Sequence, residues 1–185
     1  MSEPRKPDPV KLICSLFAVD PEMLGEALRA LSGHYGKADY LSECLFFDRT
    51  DYYSREMGSS LIRRFVSYEG LVEPDALPSI KRVTNELERR FSEDGRRRVN
   101  IDPGLISRGH LVLATGKGQA HRPYLRDGVY ADLTLLYRDE SFRPLAWTYP
   151  DYAEEKVREM FGRIRKKYLL QLKDRKAAGR DHGER

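Results

Sequence analysis

The chain has few cysteines, no long apolar run and little charge of one sign, and each shortage removes a class of protein. Cys14 and Cys44 lie far apart, each in apolar surroundings. Without a C-x-x-C pair a cysteine zinc site is excluded, and two isolated thiols point to a reduced, intracellular compartment. The strongly apolar stretch near the N-terminus, Leu12 to Val19, is too short to span a bilayer. It runs into Asp20-Pro21-Glu22 with no small-residue cleavage site, so it does not read as a signal sequence. The expectation is a cytoplasmic protein with no membrane contact. Charge is nearly balanced, 33 Lys plus Arg against 29 Asp plus Glu, a formal +4. Much of that excess lies after Arg163, which leaves the body close to neutral and weakens a nucleic-acid reading based on net charge.

What is present suits one domain. At 185 residues and 40% apolar composition the chain can bury a sizeable core. A single domain is expected over residues 9–173, with residues 1–8 and 174–185 as flexible termini that lack apolar anchors. Lys11 to Val19 reads as a central strand buried on both faces. Asp20-Pro21 then supplies a cap and a first-turn proline for a helix carrying Leu24, Ala27, Leu28 and Leu31 on one side. Tyr40 to Phe47 and Leu61 to Tyr68 read as strands. A second helix follows from Pro74-Asp75, with Leu77, Ile80, Thr84, Leu87 and Phe91 on its apolar face, and a strand over Arg97 to Asp102 comes next. That order is the split βαβ arrangement of a ferredoxin-like domain, βαββαβ, of the α+β class.

Asp102-Pro103-Gly104 reads as a turn. Beyond it, His110 to Thr115, Ala120 to Arg126, Val129 to Tyr137 and Phe142 to Leu145 form an antiparallel meander that extends or faces the first sheet, with Asp127-Gly128 as a hairpin signal. A C-terminal helix starts near Pro150-Asp151, Glu154 completing its cap, with Val157, Met160, Phe161, Ile164 and Tyr168 as its stripe.

Candidate chemistry is concentrated between Arg96 and Tyr152. Alternation puts Arg98, Asn100 and Asp102 on one face of their strand, and Tyr130, Asp132 and Thr134 on one face of theirs, opposite Leu133 and Leu135. If those faces adjoin, Asp102 and Asp132 can share Mg²⁺, which is usually held by one or two carboxylates plus ligand phosphate. The plainer alternative is two solvated sheet faces. Thr115-Gly116-Lys117-Gly118 followed by His121-Arg122 is a turn able to cradle phosphate, although it is no Walker A loop; a glycine hairpin with solvated charges is the alternative. His121 is the histidine placed among other candidates and suits a general acid or base, with Asp102 beside it as the second catalytic candidate. The long connection from Arg49 to Ser59, carrying Asp51 and Tyr52, is a candidate ligand loop. Trp147 and Tyr52 can pack against a base.

Thr50-Asp51-Tyr52-Tyr53, Glu56-Met57-Gly58, Thr84-Asn85-Glu86-Leu87-Glu88, Arg97 to Gly104, Leu111 to Thr115, His121-Arg122, Gly128 to Ala131 and Trp147 to Tyr152 together resemble a prokaryotic family classed as a domain of unknown function. Its members are often labelled GTP-binding protein. The resemblance runs from about Pro9 to Leu172 and implies no catalytic residue. Ordinary GTPases combine a P-loop with N-K-x-D, and this sequence has neither.

The expected function is binding of a nucleotide, GTP among the candidates, or of another phosphorylated ligand. Asp51, Tyr52, Arg98, Asn100, Lys117, Arg122, Tyr130 and Trp147 would line the site, and phosphoryl transfer or phosphoester hydrolysis is the chemistry such groups suit. Two rivals stand beside it. One is an RNA-binding module using Arg63-Arg64, Arg89-Arg90 and Arg96-Arg97-Arg98; the other is a non-enzymatic dimer whose interface is the polar sheet face.

Overall fold

The computed structural model describes residues 1–47, 57 and 61–181. Strand β1 (Val10–Ala18) is buried at every position, as its apolar run predicts. Asp20 caps helix α1 (Pro21–Tyr35) by accepting from the Met23 amide at 2.8 Å, with Pro21 in the first turn. The expected second strand is two, β2 (Ala38–Leu41) and β3 (Leu45–Phe47), both antiparallel to β4 (Leu61–Val72). The ladder is interrupted at Ser42. Its amide donates to the Phe65 carbonyl, but the Phe65 amide donates back to the Ser42 hydroxyl oxygen instead of the backbone.

A 3-10 turn over Pro74–Ala76 leads into helix α2 (Leu77–Arg90), and β5 (Val99–Ile106) follows. The antiparallel order β2-β4-β1-β5 is that of the expected ferredoxin-like core, with β4 lying between the two strands that α1 connects. Both helices pack on the face formed by Leu12, Cys14 and Leu16.

Pro103 and Gly104 do not turn the chain; β5 runs straight through them. The Ile101 backbone bonds away from β1, so by two-residue alternation Pro103 also faces that way, where no neighbouring strand needs its missing N–H. Gly104 is required for a different reason. A Cβ there would stand 2.7 Å from the Leu113 side chain and 2.9 Å from the Val112 carbonyl oxygen.

The meander extends the sheet. Strands β6 (His110–Thr115), β7 (Tyr124–Arg126), β8 (Val129–Arg138) and β9 (Ser141–Pro144) continue the order as β5-β6-β8-β7, with β9 also on β8. Asp127 and Gly128, both at positive φ, close the β7–β8 hairpin as their pairing predicts. An irregularity between Leu111 and Val112 shifts the β6–β8 register. It breaks the strict alternation expected of β8 and brings Leu135 into the core beside Phe142 and Phe161.

The C-terminal helix is also two elements: α3 (Pro150–Ala153), an extended Glu154 at ψ 137, then α4 (Glu155–Asp181). Val157, Met160, Phe161 and Ile164 of α4 pack on Ile13, Phe65, Ile106 and Leu135, the sheet face opposite α1 and α2. The molecule therefore has three layers. Helix α4 continues well past Asp174, where the sequence leads one to expect a flexible end. Lys176 pairs with Asp8 at 3.1 Å, and basic residues suit the negative end of a helix dipole. Among the described residues no helix is long and apolar enough to cross a membrane.

Candidate functional site

The site grows from a fork in the sheet. Strands β5 and β6 pair at Gly104–Ile106, so among the described residues the β5 edge before Pro103 has no strand on its β6 side. Helix α2 supplies the partners instead. The Ile101 amide donates to Glu88 Oε1 at 2.7 Å, and Lys81 Nζ donates to the Ile101 carbonyl at 3.2 Å. Burial raises the Glu88 carboxyl above its ordinary value, against the opposing pull of Lys81. Lys81 also reaches Asp102 Oδ1 at 3.3 Å, and Asn100 Nδ2 donates to Asp102 Oδ2 at 2.7 Å. Arg97 closes the chain by donating to Asn100 Oδ1 at 2.9 Å.

Asp102 faces α3 and α4. It pairs across β1 with Ser15, while Gly104, Leu113 and Asp132 stand opposite one another on that same face of neighbouring strands. The two polar faces expected from alternation look the same way, and part of them is buried, Asp132 at 2% exposure and Asn100 at 3%, while Asp102 is half-buried. Thr134, buried at the register shift, turns its hydroxyl back to the Asp132 carbonyl.

Two guanidinium groups anchor the polar seam. Arg122 donates from Nε to Asp132 Oδ2 at 2.8 Å, from Nη1 to the Lys117 carbonyl at 3.2 Å and from Nη2 to the Tyr149 hydroxyl at 2.7 Å. Arg63, nearly fully buried, donates from Nε to Ser15 Oγ at 2.8 Å and pairs with Asp151. Its guanidinium carbon lies 4.6 Å from the Phe65 ring centroid and 5.0 Å from that of Tyr152.

One segment covers both anchors. Trp147 stacks on His121, Tyr149 meets Arg122, Asp151 meets Arg63, and the buried Tyr152 ring lies against Phe161. Thr148 pins this strap by donating its hydroxyl to the Thr134 carbonyl at 2.5 Å while accepting from the Leu145 amide at 2.8 Å. Beneath the strap two polar atoms are buried without a partner. His121 Nε2 stands 4.0 Å from Asp132 Oδ2, and the Tyr152 hydroxyl, near Ser15, has no hydrogen-bond partner. Burial pushes the Tyr152 phenol well up from its ordinary value.

Of the residues expected from sequence, His121, Arg122, Asp132 and Trp147 form one cluster, and Asn100 and Asp102 form a second with Lys81 and Arg97. Tyr130 lies at the flank, in edge contact with Tyr124 and against Gly118. Lys117 lends its carbonyl to Arg122 while its side chain is exposed. Arg98 stands apart and pairs with Asp20 at 3.1 Å and Glu93 at 3.5 Å. Asp51, Tyr52 and the rest of their loop lie outside the described residues, apart from Met57, which is buried. The arginine pairs of the RNA reading do not form one surface, because Arg63 points inward. Among the described residues no group of three or more His, Cys, Asp or Glu is placed to hold a metal ion. The face expected to serve a dimer is covered by α3 and α4.

Sequence reasoning missed Ser15, Arg63, Lys81, Glu88, Tyr149, Asp151 and Tyr152. A signal existed for Lys81 and Glu88: both sit on the buried side of α2, among Leu77, Ile80, Thr84 and Leu87. Charges on such a stripe need partners, and here the open strand edge supplies them.

A family model described as "Domain of unknown function (DUF4416)" matches residues 8–168. The chain belongs to that family. The family's description carries no ligand and no reaction, so the resemblance drawn from the motifs holds at the level of the family. No curated protein and no solved structure matches the chain.

Proposed function

We propose that the seam beneath the Trp147–Tyr152 strap binds a phosphorylated small molecule, a nucleotide such as GTP being the first candidate. The observation that carries this reading is two buried groups without hydrogen-bond partners, His121 Nε2 near the Arg122–Asp132 pair and the Tyr152 hydroxyl on the ring beneath Arg63. Buried polar atoms nearly always have partners, and a group left without one at a cationic fork is suited to an anionic oxygen. Lys117, exposed on the preceding turn, adds a positive charge at the rim.

A divalent cation arriving with the phosphate fits Asp102 first. The Asp102 side chain is 32% exposed and held by Lys81 at 3.3 Å, whereas Asp132 is 3% exposed and held by Arg122 at 2.8 Å. Mg²⁺ keeps several waters and needs only one or two carboxylates. Asp102 would hold it, with Asp132 fixing Arg122 behind. The chemistry these groups suit is phosphoryl transfer or phosphoester hydrolysis, with His121 carrying the proton.

Isothermal titration with a nucleotide panel, with and without Mg²⁺, tests the reading. Asp102→Asn should weaken binding in the presence of Mg²⁺ and leave it unchanged without, while Lys117→Ala should weaken both. Absence of heat across the whole panel removes the proposal.

A further inference from the structure

Trp147 is the chain's single tryptophan. The residue is 40% exposed, yet its ring is not loose. One face stacks on His121 with centroids 4.9 Å apart and planes 19° from parallel, and the indole N–H donates to the Leu133 carbonyl at 2.8 Å. The strap on which it stands is tied to β8 through Thr148. An indole held at one face and one edge presents its other face in a fixed orientation. Holding a large apolar ring in that way at the surface is of no use to the core beneath it.

The surroundings narrow what the exposed face would take. Tyr149, two residues on, is 42% exposed, and its hydroxyl is fixed by Arg122. On this side of the molecule aromatic faces therefore lie directly beside the buried cations of the seam. A purely anionic ligand, such as inorganic phosphate or a sugar phosphate, would use the cations and leave the indole uncovered. A planar ring joined to a phosphate would use both.

Resting on the phosphate-binding reading above, we infer that Trp147 is a stacking platform for a nucleobase, and that the ligand class is the mononucleotide. The base lies on the open indole face, the sugar spans the rim near Tyr149, and the phosphate enters the seam towards Arg122. Stacking accepts any base, so the platform selects for an aromatic ring and leaves the choice among bases to other contacts.

The single tryptophan makes the experiment direct. Emission of wild-type protein is followed while nucleoside monophosphates and triphosphates are titrated in parallel with ribose 5-phosphate and pyrophosphate, and affinities for all of them are measured by calorimetry on wild type, Trp147→Leu and Trp147→Phe. The expected result has three parts: nucleotides change the emission and bind at least about tenfold more tightly than base-free phosphates, Trp147→Leu weakens nucleotide binding by roughly 5- to 150-fold, and Trp147→Phe recovers most of the loss. In Trp147→Leu nucleotides should lose more affinity than base-free phosphates do, and a far-ultraviolet circular dichroism spectrum like that of wild type shows that the variant is folded. Equal affinities for nucleotides and base-free phosphates, unaffected by Trp147→Leu, overturn the platform and leave the phosphate site standing. No binding by any of them overturns both. Tight binding of single-stranded RNA without binding of mononucleotides assigns the ring to a nucleic acid and overturns the mononucleotide.

Discussion

Two polar clusters lie on the same face of the sheet, one at the start of β1 and one spread from β4 to β8, and they are built differently. At the start of β1 Lys11, fully buried, donates to Asp39 Oδ2 at 2.5 Å and to Gln171 Oε1 at 2.9 Å. Ser67 donates to the other Asp39 oxygen at 2.5 Å, and Lys167 donates to the Asp39 carbonyl at 2.9 Å. This cluster joins β1, β2, β4 and α4. In the other cluster Arg63, Arg122, Asp102 and Asp132 are paired too, but His121 Nε2 and the Tyr152 hydroxyl are buried without partners. Tyr35 and Tyr68 also bury unpartnered hydroxyls, but their rings pack together in the opposite layer, away from these charges. The contrast underlies the proposal made above: a closed polar network fastens a helix, while buried groups without partners beside charge are where a ligand oxygen would find donors.

The largest break in the comparison should come from the closed end. Lys11→Ala takes the buried ammonium from Asp39 and leaves it only the half-exposed Lys167 at 3.3 Å, and denaturant unfolding should show a loss of up to about 3–5 kcal/mol. Ser67→Ala removes a single hydrogen bond to the same carboxylate and should cost about 1.5–3 kcal/mol.

Acid should act on that end as well. Burial alone would raise the Asp39 carboxyl, but hydrogen bonds from Lys11 and Ser67 outweigh it and hold the group below its ordinary value of 3.8. Its contribution is therefore complete above pH 3.8 and is lost as pH falls through the lower folded value. Urea midpoints measured down to pH 2 should show an acid step that Asp39→Asn removes.

The smallest expected change comes from the open end. Tyr152→Phe deletes a hydroxyl that has no partner, so stability should stay within about 0.5 kcal/mol of wild type or rise slightly. Two hydroxyl deletions on one sheet face, Ser67 and Tyr152, would then differ in outcome because one group is satisfied and the other is not.

Much of the fold could be read from residues whose local and global preferences agree. The nearly continuous apolar run of β1, the Asp20-Pro21 cap and the Asp127-Gly128 hairpin each specify one structure by local physics alone. Pro103-Gly104 misled because the same two residues serve a turn or, as here, an open strand edge beside a close β5–β6 approach; only the neighbouring strand distinguishes the two. Ser42 and Glu154 broke elements through contacts or backbone angles that no periodicity carries. At the site, the motif segments 115–122 and 147–152 stood out by their density of polar and aromatic residues. Arg63 did not, because in sequence it is half of a basic pair and only its pairing with Asp151 on a distant segment makes it an anchor. Lys11 was hidden in the same way, inside an apolar strand whose single charge is answered from β2 and α4.

The central claim is that unsatisfied polarity at the strap end marks a ligand site while the satisfied network at the other end is scaffold. One calorimetric comparison tests it most directly: nucleotide titrated into Tyr152→Phe/His121→Gln and, separately, into Ser67→Ala. The account predicts that the first variant keeps its stability and loses the binding heat, and that the second loses stability and keeps the binding heat. Undiminished nucleotide binding by the double variant would contradict it.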